Sequence, residues 1–363
     1  MNKNIGVGLL CGLLIAAGGS VAHAQTDDSL GLWAPIPEWA YGYDSQPQPG
    51  DTPPIPTPGN RALQPGEDPV ELARPLTLEG SSATFPRQDI RHAQDVIDWF
   101  PEDYPPMADI IKFGPEALQG GEPDWACGSC HLPNGKGRPS NAPVAGQPAE
   151  YMVQQLRDFR DGLRYSADPR KPNTPNMIRM ALAMTEEEMQ ESAKFWAAVP
   201  WTRRYYVMEA DLVPAMYLNP GNNMFFTVGT EPTELLNGRI VETPVDTYQA
   251  DYLRNPRMGF NVYVPVGSLA KGEELVTTGG EGKTIQCAIC HGQDLMGLGL
   301  IPGIAGRSPS YLMRQMYDMR QGTRNGISAQ LMMPTVANLT LDDMTNISAY
   351  LASIIPPEPE AAD

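Results

Sequence analysis

Two stretches of the chain, residues 149–162 and 310–322, carry apolar residues at helical spacing. Each stretch places four of them on one face, namely Tyr151, Met152, Leu156 and Phe159 in the first and Tyr311, Leu312, Met316 and Met319 in the second. A period near that of an α-helix predicts an amphipathic helix with this face buried, and a glycine ends each stretch. A second predicted helix follows each one, at 185–198 and 340–354. Thr185 and Thr340 are its expected N-caps, because an acidic residue follows each at the third position.

These predicted helix pairs belong to an internal repeat. Residues 127–164 align without a gap with residues 287–324, at a shift of 160 positions. The identical residues in the first copy include Gly137, Ala145, Gly146, Tyr151, Gln155, Asp158, Arg160, Gly162 and Arg164. The repeat therefore predicts two copies of one helical unit within the chain.

The segment between the two copies has a different pattern. Residues 205–207, 239–241 and 260–264 are short runs rich in aromatic and β-branched residues, divided by proline and glycine. Such runs predict strands, so we expect a small β-rich bridge over residues 201–267.

The segment before the first copy, residues 25–106, is rich in proline and lacks a regular apolar period. Proline disfavours helix interiors and cannot donate to a sheet ladder, which predicts an extended arm. Trp33, Trp39, Tyr41 and Tyr43 are too aromatic for a wholly solvated linker. We therefore expect part of this arm to dock on the folded body.

The first 24 residues resemble a secretory signal. Lys3 precedes a short apolar run, and Ala22-His23-Ala24 is a small-residue cleavage site, which predicts removal after Ala24. The run is too short and too glycine-rich for a membrane anchor, the alternative interpretation. Cys11 follows Leu10 rather than the small residue that lipidation requires. We expect a soluble, exported chain in the periplasm, without stable membrane insertion.

The strongest chemical signal is a pentapeptide that occurs twice, Cys-x-x-Cys-His. Its copies are Cys127-Gly128-Ser129-Cys130-His131 and Cys287-Ala288-Ile289-Cys290-His291. This motif attaches c-type heme, since two thiols at this spacing can add to the two vinyl groups of one porphyrin and the histidine can ligate the iron. A zinc or redox site could also use Cys-x-x-Cys, but the adjacent histidine in both copies favours two covalently bound heme c groups. We expect all four cysteines to form thioethers.

The second axial ligand of each iron is expected to be a methionine. Methionine sulfur closes the iron and raises its potential, whereas an open position allows small molecules to bind. Met177, Met180 and Met184 follow the first motif, and Met332 and Met333 follow the second. Met177 and Met332 each precede the last predicted helix of their copy by eight residues. We therefore select His131 with Met177, and His291 with Met332, with Met333 as the alternative to Met332.

One further histidine, His92, lies outside the signal and both motifs. It could serve as a distal ligand or proton donor, or it could be an ordinary surface side chain. Its position in the predicted arm, far in sequence from either motif, favours the second interpretation.

The chain is acidic, with 43 Asp and Glu against 26 Lys and Arg and a formal net charge of -17. Such a surface repels nucleic acid and anionic lipid. We expect redox partner proteins that present basic docking patches.

The motifs, together with Ala145-Gly146-Gln147, residues 151–164 and the methionine before Leu339-Thr340-Leu341-Asp342-Asp343, resemble the two-domain diheme cytochromes c of the cytochrome c4 type. The resemblance implies a mainly α fold with two tandem class I cytochrome c domains, 107–200 and 268–357, joined by the bridge. It implies that Gln155, Arg160, Gln315 and Arg320 lie near heme propionates. Pro302, and Ala142 in the first copy, occupy the position whose carbonyl orients the proximal histidine.

The predicted function is that of an exported diheme carrier. It would move electrons from a periplasmic dehydrogenase or a quinol-oxidising complex to a terminal acceptor. Two alternatives remain open at this point: a diheme enzyme, such as a peroxidase or an oxidase of sulfur compounds, and a dedicated electron-accepting subunit of one dehydrogenase.

Overall fold

The computed structural model describes residues 35–54, 57–121, 124–219 and 223–357. The predicted signal over residues 1–24 and its cleavage site after Ala24 lie outside these ranges. No helix in the described part of the chain combines the length and the apolar character that crossing a bilayer requires.

The N-terminal segment contains short regular elements and docks on the rest of the chain. Its elements are α1 (Glu38–Tyr41), α2 (Pro69–Ala73), β1 (Pro75–Thr77), β2 (Thr84–Pro86) and α3 (Arg87–Ile90). The Tyr41 ring is fully buried and its hydroxyl donates to Asp318 at 2.6 Å. The Trp99 indole N–H donates to the Leu253 carbonyl at 2.8 Å. The segment is therefore less extended than its proline content predicts, because β1 and β2 form a hairpin and its aromatic residues enter the core.

Within its described residues, the first repeat contains five α-helices. They are α4 (Asp109–Phe113), α5 (Cys127–His131), α6 (Ala149–Arg160), α7 (Asn173–Ala183) and α8 (Glu186–Ala197). α8 begins with the predicted capping box: the Thr185 hydroxyl accepts from the Glu188 N–H, and the Glu188 carboxylate accepts from the Thr185 N–H. Phe195 and Trp196 are buried as their helical spacing predicts.

The segment between the repeats contains two small sheets. Its strands are β3 (Tyr205–Glu209), β4 (Leu212–Asn219), β5 (Met224–Leu235), β6 (Val241–Pro244) and β7 (Phe260–Val264), with a π-helical turn at Tyr248–Tyr252. β7 lies between β3, which is parallel to it, and β6, which is antiparallel. β4 and β5 form a separate hairpin that the sequence pattern did not predict. Phe260, Val262 and Val264 alternate inward along β7, and they join this sheet to the core of the first repeat.

The second repeat has the same plan. Its elements are α9 (Ser268–Thr278), α10 (Ala288–His291), β8 (Gly297–Leu298), β9 (Ile301–Pro302), α11 (Pro309–Arg320), α12 (Met333–Val336) and α13 (Leu341–Ser353). Thr340 and Asp343 form the predicted capping box of α13. Leu351 is buried and Tyr350 is half-buried on this helix.

α9 and α13 cross where Gly272 meets the backbone of α13. A Cβ added at Gly272 would lie 2.0 Å from the Asn346 carbonyl oxygen and 2.7 Å from the Tyr350 Cβ. Only glycine allows the two helix backbones to approach so closely at this point.

We predict that Gly272→Ala destabilises the protein by about 2 kcal/mol, because overpacking a tight contact costs roughly 1–3 kcal/mol and backbone atoms cannot move aside as a flexible side chain can. Urea unfolding of the heme-loaded protein measures the change. Gly121→Ala is the matched control, since no atom lies within 4 Å of a Cβ added there. Equal midpoints for the two variants would contradict the prediction.

Candidate functional site

The first motif forms the short helix α5 at the wall of a cavity. Cys127, Cys130 and His131 line this cavity, and all three candidate methionines, Met177, Met180 and Met184, line it too. Trp196, Met152 and Leu156 provide much of its apolar wall. Two thiols, an imidazole and three methionine thioethers around one apolar cavity include the donor set that fits a covalently attached heme.

Each motif histidine is oriented by a backbone carbonyl. His131 Nδ1 lies 2.8 Å from the Ala142 oxygen, and His291 Nδ1 lies 2.7 Å from the Pro302 oxygen. A carbonyl can only accept, so Nδ1 carries the proton and Nε2 is left to coordinate iron. Both carbonyls thus lie where the sequence predicts them, although one belongs to an alanine (Ala142) and the other to a proline (Pro302).

Burial keeps the motif side chains neutral. It lowers the pKa of His131 and of His291, although the carbonyl contacts act in the opposite direction. It raises the pKa of the Cys127 thiol to about 12 and that of the Cys287 thiol to about 11. The imidazoles are therefore in the uncharged form that binds a metal.

Met177 lies in helix α7, and not in the irregular segment that the proline-rich run at residues 171–176 would predict. The helix begins at Asn173 despite Pro172 and Pro175, because proline is tolerated at a helix start, where the missing N–H would have no partner within the helix. Met180 and Met184 are buried, as expected for core residues, whereas Met177 is half-buried.

Met332 and Met333 occupy equivalent surroundings in the second repeat. Met332 follows a 3-10 turn at Ala329–Leu331, and Met333 is the first residue of α12. Both side chains are partly buried against the core of this repeat. Met332 and Met333 therefore both remain candidate ligands of the second heme iron.

One of the contacts between the two repeats is formed by two arginines and two glutamines, and a second joins Arg307 to the Pro143 and Ala145 carbonyls. Arg164 donates to the Gln155 side-chain oxygen at 3.0 Å and to that of Gln315 at 2.9 Å. Arg324 donates to the same two oxygens, at 2.8 Å and 2.9 Å. Residues 164 and 324 also pair as an antiparallel bridge. The contact has the two-fold pattern expected when two copies of one unit meet face to face.

These arginines carry buried positive charge beside the cavity. Arg164 and Arg324 are both buried, and within the described residues neither forms a salt bridge with a carboxylate. Arg164, Gln155 and Gln315 line the first cavity. Burying an unpaired cation is costly, so a nearby anionic group, such as a heme carboxylate, fits this position.

Of the four residues expected near propionates, the two glutamines lie in this network and the two arginines do not. Arg160 forms exposed ion pairs with Glu186 at 2.7 Å and Asp161 at 3.0 Å. Arg320 donates to the Leu339 carbonyl at 2.6 Å. The sequence did contain a signal for Arg164 and Arg324, because both recur in the repeat.

His92 is half-buried in the N-terminal segment and is not among the residues that line the cavity. Burial lowers its pKa, and the nearby Arg61 adds to this effect. Its placement gives no support to a role as an iron ligand.

Comparison with known proteins identifies related sequences. The family model for cytochrome c matches residues 124–197. Cytochrome c-554(548) of Halomonas halodenitrificans is 40% identical over 75 residues, which cover 20% of this chain and 90% of that protein. The thiosulfate dehydrogenase electron acceptor of Stutzerimonas stutzeri is 34% identical over 24% of this chain and 41% of its own length. Cytochrome c4 of Azotobacter vinelandii is 32% identical over 30% of this chain and 51% of its own length. The chain thus spans about half the length, or less, of the last two relatives.

We predict that replacing both cysteines of one motif with serine lowers the covalent heme c content from two per chain to one. The double variants are Cys127→Ser with Cys130→Ser, and Cys287→Ser with Cys290→Ser. Each motif has its own thiols and histidine, so loss at one should leave the other loaded. Heme counted as the pyridine complex against protein concentration measures this ratio, and an unchanged ratio of two would contradict the assignment.

Proposed function

Because this chain belongs to the cytochrome c family, we propose that it is a diheme electron carrier whose irons are each held by one histidine and one methionine. The proposed pairs are His131 with Met177 and His291 with Met332, with Met333 as the alternative in the second pair. Heme c supplies, when bound, an iron that cycles between the ferrous and ferric states. The protein itself binds, orients and shields the heme.

The observation that carries this proposal is the arrangement of donors in the first cavity. His131 presents Nε2 because Ala142 holds Nδ1, and Met177 lies on the wall of the same cavity. An iron with two strong protein ligands has no open position for a substrate, which suits transfer of electrons alone. The repeat extends the argument to His291 and Met332, because Met177 and Met332 each precede the N-cap of the last helix in their copy by eight residues.

Two domains on one chain remove the need for diffusion between the hemes. The Arg164, Arg324, Gln155 and Gln315 network fixes one repeat against the other. We propose that both arginines also hold heme carboxylates, since within the described residues their buried charge forms no direct salt bridge and only the more distant Asp318 carboxylate offsets it. This arrangement supports electron passage from one repeat to the other.

We place the carrier in the periplasm, where the predicted signal would direct it. Its donor would be a dehydrogenase or a quinol-oxidising complex, and its acceptor a terminal oxidase. The acidic balance of the chain favours partners with basic docking patches. One relative is named as the electron acceptor of thiosulfate dehydrogenase, which favours a second candidate function, that of a dedicated acceptor for one dehydrogenase.

The absorption spectrum of the reduced protein with and without carbon monoxide tests the proposal. Two irons that are each closed by histidine and methionine should leave the spectrum unchanged, because carbon monoxide needs a free position. A shift in the band of one heme would instead indicate an open iron and favour an enzyme. Each sample needs two hemes per chain, so that a missing heme is not mistaken for a closed one.

We predict that Met177→Ala and Met332→Ala each open one iron. The affected heme should bind carbon monoxide and its reduction potential should fall, because the methionine sulfur that raises the potential is lost. Met180→Ala and Met333→Ala are the matched controls, and both should keep two closed irons. If Met333→Ala opens the second iron and Met332→Ala does not, the ligand is Met333.

A further inference from the structure

The residues around the Cys-x-x-Cys-His motif differ between the two repeats in polarity and in exposure to solvent. In the second repeat, Ile285, Ile289, Leu298 and Leu300 are large apolar residues with 50%, 63%, 58% and 63% of their surface exposed. Their equivalents in the first repeat, 160 positions earlier, are Trp125, Ser129, Arg138 and Ser140, of which the last three are buried. The aliphatic residues of the second copy are exposed, whereas the polar residues Ser129, Arg138 and Ser140 of the first copy are buried.

The first repeat is covered by the bridge and the N-terminal segment. Arg254 donates to the Ser129 carbonyl inside the motif, and Arg204 donates to the Gly137 carbonyl at 2.8 Å. The Asn134 amide donates to the Pro256 carbonyl at 2.6 Å. From the other side, Gly128 packs against Ile111 and Val96. The chain itself therefore occupies the face that is open in the second repeat.

The four exposed residues lie on neighbouring segments at the second motif, and together they are called the apolar patch. Ile289 lies in α10, between the two cysteines, and α10 packs against the β8–β9 hairpin that carries Leu298 and Leu300. Ile285 precedes the motif by two residues. Contiguous aliphatic side chains of this kind mark interaction sites more often than single exposed ones do.

Exposed acidic residues flank the patch in the sequence. Glu281 and Asp294 are exposed, and the nearby cation Lys283 is paired with Asp343 at 3.0 Å. The whole chain carries a net charge of -17. The complementary partner is a protein with an apolar centre and a basic rim. The first repeat shows a comparable arrangement within the chain, because two cations of the bridge, Arg204 and Arg254, cover its equivalent face.

We propose that Ile285, Ile289, Leu298 and Leu300 form the docking surface at which a redox protein with a basic rim exchanges electrons with the second heme. The inference rests on the proposed carrier function and adds the place where partners dock. They approach the second repeat, because the rest of the chain covers the equivalent face of the first. Each encounter moves one electron between the reduced protein and its oxidised partner, and no covalent bond forms or breaks.

Stopped-flow oxidation of the reduced protein by ferric mitochondrial cytochrome c, a basic redox protein, tests the proposal. The test variant is Leu298→Ser with Leu300→Ser, which removes apolar surface and leaves the motif intact. We expect its bimolecular rate constant to fall about tenfold at low ionic strength, within the range by which association rates vary among mutants of one interface. Asp294→Lys should also slow the reaction, and more so at low salt than at high salt.

The matched control is Val228→Ser with Leu235→Ser on the β4–β5 hairpin. These residues are 61% and 59% exposed, so the control loses similar apolar surface far in sequence from either motif. We expect the control to react at the wild-type rate. Reduction potentials of both hemes, measured in every variant, separate a docking effect from a change in driving force.

Three outcomes would overturn the proposal. The first is a Leu298→Ser, Leu300→Ser variant that reacts as fast as the wild type while the wild type transfers electrons normally, which leaves the carrier function intact. The second is a wild-type dimer in sedimentation that this variant converts to monomers, because a second copy would then cover the patch. The third is a wild-type protein that binds carbon monoxide and does not reduce the ferric mitochondrial cytochrome c, which contradicts the carrier function as well.

Discussion

The contact between the two repeats is the constraint on which the arrangement of the molecule depends. Arg164 and Arg324 each bridge Gln155 and Gln315, so two side-chain oxygens accept four hydrogen bonds from two buried cations. The backbone supports the same contact, since the Tyr165 N–H donates to the Thr323 carbonyl and the Asn325 N–H to the Leu163 carbonyl. A shift of one repeat against the other would break these buried hydrogen bonds together, which favours one relative position of the repeats.

This contact explains why the repeats can differ so much elsewhere. It uses residues that recur in both copies, and it leaves their outer faces free to diverge. In the first copy the outer face is buried under the bridge, through Arg204 and Arg254. In the second it is exposed and aliphatic. Two copies of one unit thus acquire different surroundings without a change in how they meet.

Local signals in the sequence predicted local structure well. The capping boxes at Thr185 and Thr340 depend on residues three positions apart, and both are present. Helix α7 was missed because two prolines suggested a loop, although both lie where a helix start accepts them. The β4–β5 hairpin was missed because much of β5 is exposed, and its residues lack the alternation that one buried face produces. Arg164, and not the expected Arg160, joins the glutamine network because it reaches Gln315 of the other repeat. A local sequence pattern holds no information about such a contact.

The anchoring of Tyr41 has a consequence for the order of folding. Its hydroxyl contacts Asp318, 277 residues later, while Arg314 caps the carbonyl of Ala40. Contacts of such long sequence separation are costly in loop-closure entropy and form late. The segment around α1, which is synthesised early, has no completed binding site until α11 exists. We therefore expect the first repeat to pack its own core before the N-terminal segment docks across the contact between the repeats.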